Sequence, residues 1–214
     1  MSLIELHLFT NSTVNSPSTT HIEETYQSFL DTFKANMKIT VWCDPNPNTN
    51  FSKEYSEKLS KLFTKVVPTV SLSDGYTKAV RSSDCDFLFM LEHDWIFLPT
   101  ITNTLEEILD QMQDDKIMHL RFNKRQTVVK LSDKFLTEKK GKSFSYCVTP
   151  SVSNNPHIIA RKLYSKKALK YLQSTNGSKG IEEVLSLQKE ILGAIYGPLD
   201  YPKTCEHING RQKN

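Results

Sequence analysis

Phe87, Leu88, Phe89, Met90 and Leu91 form an unbroken apolar run that leads directly into Glu92, His93 and Asp94, and the chain turns apolar again over residues 95–98. A strand without polar alternation is buried on both faces, as strands of a parallel sheet are, so its charged end must emerge at the sheet's carboxyl edge. Open α/β sheets bind ligands at that edge. Two carboxylates and an imidazole there suit a hard divalent cation, Mn²⁺ or Mg²⁺, through the carboxylate oxygens.

The flanking sequence alternates as βαβ units do. Residues 3–9 read as a first strand. Thr20 and Glu23 have capping-box spacing at the start of a helix that carries Ile22, Tyr26, Phe29, Leu30 and Phe33 on one face. Residues 37–42 give a second strand, which ends at Cys43 and Asp44 before the breaker run 45–48. Ser52 can cap a helix with Tyr55, Leu59, Leu62, Phe63 and Val66 inward; residues 66–72 read as a third strand, and Ser73 starts a helix through Tyr76, Ala79 and Val80. Beyond residue 100 the rhythm loosens. A helix opens at Thr102, residues 117–122 and 158–160 read as strands, and the Lys/Gly-rich stretch 139–142 reads as a mobile loop. Helices are expected over 165–172 and 181–192, the second ended by Gly193.

With 214 residues the chain can build one large core, and a single domain is expected over its whole length. No apolar tract approaches the roughly 18 residues that cross a bilayer, and the amino terminus lacks the basic and apolar regions of a secretory signal. Cys43, Cys85, Cys147 and Cys205 lie far apart and form no CxxC or Cys/His zinc pattern, which argues for reduced thiols and a cytoplasmic location. The formal net charge of +3 is too small to establish a polyanionic partner, yet Lys134, Lys139, Lys140 and Lys142 cluster, as do Arg161, Lys162, Lys166, Lys167 and Lys170. A solvated surface and a polyanion-binding surface both fit these clusters.

The order of the pieces resembles the GT-A glycosyltransferases. A first strand, Asp44 after the second, a Gly75-containing helix with Lys78 and Arg81, and then Asp86 to Asp94 reading DFLFMLEHD are similar to that family's nucleotide-binding half. Its fourth strand ends in a DxD-like motif, here Glu92-His93-Asp94. In the second half, the segment from Ser153 to Arg161 looks like the short strand after the acceptor-side loop, the stretch NGSKGIEE ending at Glu183 looks like the Gly-rich turn and acidic pair of the acceptor-side helix, and Cys205-Glu206-His207 looks like the segment whose histidine closes the metal site. The resemblance implies an α/β, Rossmann-like fold with a mostly parallel sheet flanked by helices. Residues 1–100 would bind the nucleotide sugar and residues 101–214 the acceptor.

It also implies roles. A Mn²⁺ or Mg²⁺ ion held by Asp94 and His207 would stabilise the departing diphosphate of a nucleoside-diphosphate sugar; Thr10, Asp44, Lys78, Arg81 and Glu92 would bind the donor; Glu183, or its neighbour Glu182, would be the general base of an inverting transfer. His93 is expected to be a spacer. The acceptor would be a hydroxyl on a glycan, a protein, or a hydroxylated DNA base of the sort some viruses glycosylate, which would place the enzyme in the host cytoplasm. Two rival readings are a nucleotidyltransferase, disfavoured because residues 10–19 contain no Gly, Lys or Arg, and a non-catalytic nucleic-acid-binding module using the lysine clusters.

Overall fold

The computed structural model describes residues 3–11, 18–44, 52–128, 135–173, 181–186, 188 and 191–208. The breaker run 45–48, Lys134 and the turn 176–180 lie outside them. In chain order come β1 (Ile4–Asn11), α1 (Thr20–Phe33), β2 (Ile39–Asp44), α2 (Ser52–Leu62), β3 (Val66–Pro68), α3 (Leu72–Ser82), β4 (Phe87–Glu92), β5 (Trp95–Phe97) and α4 (Leu105–Asp114). Then follow β6 (His119–Arg121), β7 (Thr137–Lys140), β8 (Ser145–Thr149), β9 (His157–Ala160), α5 (Arg161–Lys167), α6 (Leu169–Gln173), α7 (Ile181–Ser186), β10 (Gly193–Tyr196) and β11 (Cys205–His207).

Among the described residues nine strands make one sheet in the order β3-β2-β1-β4-β9-β6-β10-β8-β7, and β11 pairs with β5 in a separate ribbon. The four strands from β3 to β4 run parallel. β9 enters antiparallel between β4 and β6, which are therefore parallel to each other and end at the same edge. Helices cover both faces because the strands bury both. Leu6, Leu8, Phe89 and Leu91 share a core with α1, α2 and α4, including Phe29, Leu59 and Ile108. The alternate residues Phe9, Trp42, Leu88 and Met90 pack against α3 and α5 to α7, including Tyr76, Tyr164 and Leu185. An aromatic knot ties β5 to this frame, with Phe89 5.0 Å from Phe29 and 5.9 Å from Phe97, ring centre to ring centre. Truncating such a buried ring costs about 3–5 kcal/mol.

Several boundaries differ from the sequence reading for identifiable reasons. Thr19, not Thr20, precedes α1; its hydroxyl donates to Glu23 at 2.6 Å and makes no side-chain cap. Ser71 caps α3 by accepting from the Asp74 N–H, which draws residues 71 and 72 out of the expected third strand. The helix expected from Thr102 begins after Thr104, where Thr104 and Glu107 form a reciprocal capping box. Lys139 and Lys140 belong to β7, an exposed edge strand, rather than to a loop. Gly193 does not end a helix: α7 is described over Ile181–Ser186, residues 188, 191 and 192 are not helical, and Gly193 opens β10 where an added Cβ would sit 3.0 Å from the Ser151 carbonyl oxygen.

Candidate functional site

The pairing register assembles the site. Phe9 lies beside both Trp42 and Glu92, so these three form one row across β2, β1 and β4, and Asn11 lies beside Asp44 two residues further along. A pocket opens on this carboxyl edge, lined by Phe9, Thr10, Asn11, Trp42, Asp44, Thr69, Leu72, Glu92 and His93. Trp42 is fixed by its indole N–H, which donates to His7 Nδ1 at 2.9 Å. Thr10 is fixed by a hydrogen bond to the Tyr55 hydroxyl of α2. Burial raises the Asp44 carboxyl above the usual carboxylate range, with Asp74 adding repulsion.

Thr10, Asp44 and Glu92 therefore meet at one pocket. Lys78 and Arg81 do not line it. Lys78 is exposed and forms an ion pair with Asp74 at 2.7 Å, and Arg81 is exposed in the last turn of α3. His93, expected as a spacer, also lines this pocket.

Beyond Glu92 the chain turns at His93 and Asp94 and returns as β5. Thr25 of α1 holds that turn from both sides, donating its hydroxyl to the His93 carbonyl at 2.8 Å and accepting from the Trp95 N–H at 3.1 Å. Ser28 accepts from the Phe97 N–H at 2.8 Å. Antiparallel pairing sets His207 opposite Trp95, and the Ile208 N–H donates to the Asp94 carbonyl at 3.0 Å. Asp94 and His207 are thereby brought together from opposite ends of the chain, with Asp94 Oδ2 3.2 Å from His207 Nδ1.

The two atoms are at hydrogen-bonding distance in this structure, and the same spacing could serve two ligands of a divalent cation. Adjacent ligands of an octahedral ion bound at about 2.1 Å are separated by roughly 3 Å, close to the spacing of this pair. Asp94 Oδ1 is also buried with no hydrogen-bond partner among the described residues. No group of three or more His, Cys, Asp and Glu among those residues could hold a metal, so further ligands would come from substrate and water, as is usual for Mg²⁺-type sites.

Glu92 ends β4 at the centre of this edge. Burial raises its carboxyl to about 8, helped by the charges of Asp94 and Glu182 and opposed by Lys124. Glu182, at the start of α7, accepts from the Ser153 hydroxyl and the Asn154 N–H, both at 2.6 Å. Its charge also reaches Tyr76 and His157. Glu182 and Glu183 are both exposed in the first turn of α7. Sequence reasoning did not single out Thr25, Ser28, Thr69 or Lys124. Hydroxyls inside a helix (Thr25, Ser28) and a threonine or lysine in a loop (Thr69, Lys124) carry no pattern of their own, and only the folded contacts give them a place.

No protein-family model and no curated protein sequence matches the chain. Solved structures do match in shape. S. aureus TarS 1-349 superposes with a TM-score of 0.56 at 10% identity over 95% of this chain and 60% of that one, and its complex with UDP gives 0.52 at 12% identity over 94% and 60%. Mannosyltransferase PcManGT from Pyrobaculum calidifontis, in complex with GDP-Man and Mn²⁺, gives 0.53 at 11% identity over 97% and 58%. The fold is that of the GT-A glycosyltransferases. The chain spans about 60% of the length of these structures.

Proposed function

We propose that the protein transfers a sugar from a nucleoside-diphosphate donor to a hydroxyl acceptor with inversion. The observation that carries this reading is the convergence, on one edge of a GT-A sheet, of the Thr10, Asp44 and Glu92 pocket with the Asp94 and His207 pair. Nucleotide complexes of two proteins that share the fold, one with UDP and one with GDP-Man and Mn²⁺, support it.

Asp44 and Thr10 would receive the nucleoside, with Trp42 and Phe9 as apolar walls. A divalent cation on Asp94 and His207 would supply Lewis-acid stabilisation of the departing diphosphate. The acceptor hydroxyl must lose a proton as it attacks the anomeric carbon, and a carboxylate on the acceptor side takes it. Of the acidic pair we assign this to Glu182. Its carboxylate is held by Ser153 and Asn154 and lies near enough to Glu92 for their charges to interact. The exposed lysines of β7 favour a polymeric, anionic acceptor, of which DNA is one.

The decisive experiment offers the protein a panel of sugar nucleotides with Mn²⁺ or Mg²⁺ and scores slow hydrolysis, which needs no acceptor. Metal-dependent release of one nucleoside diphosphate supports the reading. Release of pyrophosphate from nucleoside triphosphates would instead favour nucleotidyl transfer, and salt-sensitive DNA or RNA binding without turnover would favour a binding module.

A further inference from the structure

Lys124 follows β6, which ends at the same sheet edge as β4. Its side chain is exposed, but the backbone leading into it is clamped, since the Asn123 N–H donates to Thr204 Oγ1 at 2.7 Å and the Thr204 N–H donates back to the Asn123 carbonyl at 2.8 Å. Thr204 leads directly into β11, so the strand that delivers His207 also fixes the base of Lys124. The ammonium lies 5.8 Å from the centroid of the Trp95 ring, and the His207 ring is 3.7 Å from that same ring. Among the described residues no carboxylate is in ion-pair contact with Lys124, in contrast with Lys78 and its partner Asp74. Two buried polar atoms in this neighbourhood, Asp94 Oδ1 and Trp95 Nε1, likewise have no hydrogen-bond partner among the described residues.

We infer that Lys124 binds a phosphate of the nucleotide donor and acts as a protein-borne counter-charge to the leaving diphosphate, beside the Asp94 and His207 pair. The inference rests on the donor reading above and adds a residue to it. Sugar transfer breaks the bond from the anomeric carbon to the donor's phosphate oxygen, and the electron pair stays on that oxygen. An ammonium nearby stabilises the charge that develops there while keeping its own protons. The Trp95 ring attracts the Lys124 cation, and the nearby Glu92 carboxyl, which burial holds largely protonated near neutral pH, competes little for it.

The test uses the full chain with Mn²⁺, titrated in a calorimeter with UDP, GDP, ADP, CDP and dTDP, and with the nucleoside matching whichever binds. The variants are Lys124→Met, which keeps an unbranched stem over Trp95 without the charge, and Lys124→Arg. Lys124→Met should weaken the diphosphate by roughly 10- to 100-fold, the range of a hydrogen bond to a charged group, and leave the nucleoside unchanged. Lys124→Arg should retain most of the affinity because it retains the cation. Parent-like diphosphate binding by Lys124→Met overturns the inference, as does an equal loss for nucleoside and diphosphate, which would mark a packing role. If the parent binds none of the five diphosphates, the donor reading itself fails and Lys124 falls with it, a result distinct from failure of Lys124 alone.

Discussion

Replacing Glu92 by Gln should stabilise the metal-free protein, and only above the pH at which a free glutamate ionises. Burial, with Asp94 and Glu182 nearby, raises this carboxyl from its ordinary 4.5 to about 8. Below pH 4.5 the folded and unfolded chains both hold the proton, so parent and variant differ little on this account. As the pH rises toward 8 the unfolded chain gives up the proton while the folded chain keeps it, and the folded state loses relative stability. Above about 8 both forms are ionised and the difference levels off. At about 1.4 kcal/mol per pH unit the accumulated penalty approaches 5 kcal/mol as a ceiling, which solvent and side-chain relaxation reduce. Gln fills nearly the same volume and cannot ionise. Each kcal/mol moves Tm by about 2–4 °C in a chain of this size, so the variant should melt several degrees higher at pH 8 and near the parent at pH 4.5. Calorimetric melts from pH 4 to 9 in the presence of a chelator measure this. Parallel parent and variant curves across that range would show that Glu92 ionises normally and that the electrostatic account of the pocket is wrong.

Other outcomes follow from the same geometry. Asp94→Asn should lower the Mn²⁺-dependent affinity for the bound nucleoside diphosphate at least about tenfold while leaving Tm within a few degrees, and unchanged metal dependence in titration calorimetry would remove Asp94 from the site. Glu182→Gln should cut kcat by about 10² to 10⁴ with donor affinity preserved, whereas Glu183→Gln should turn over at close to the parent rate; the reverse pattern would move the base one residue along α7. Thr104→Ala breaks the capping box of α4 and should cost about 1 kcal/mol in denaturant unfolding without altering donor binding.

What could be read from the chain in advance depended on whether a signal was local. The strand 87–91 was legible because five apolar residues in sequence leave no exposed face, and the structure buries every one of them. The charged end followed from the same fact, since a strand buried on both faces places Glu92 where the sheet stops. Capping residues were harder to place. Thr19, Ser71 and Thr104 each lie one or two residues from the serine or threonine chosen by pattern, because neighbouring hydroxyls offer nearly equivalent local starts and tertiary contacts decide among them. β10 was hidden because Gly193 punctuates a helix and opens a strand with the same letter.

Asp94 and His207 show the other limit. They are separated by 113 positions, and nothing in their local sequence says that they meet. What joins them is backbone: β11 pairs with β5, and Thr25 and Ser28 of α1 hold β5 against the first helix. Only the resemblance to a known family suggested His207, and the structure supplies the physical route by which it arrives. The same ribbon makes the site sensitive to changes remote from any substrate. The Thr25 hydroxyl both donates to the His93 carbonyl and accepts from the Trp95 N–H, so removing it releases two ends of the turn that carries Asp94. Buried polar groups left unpaired cost about 1–3 kcal/mol each, and here the affected groups flank Asp94 on both sides. A stability defect at Thr25 would therefore be coupled to a binding defect at Asp94, whereas a defect in the exposed α4 cap, which touches none of the site residues, would affect stability alone.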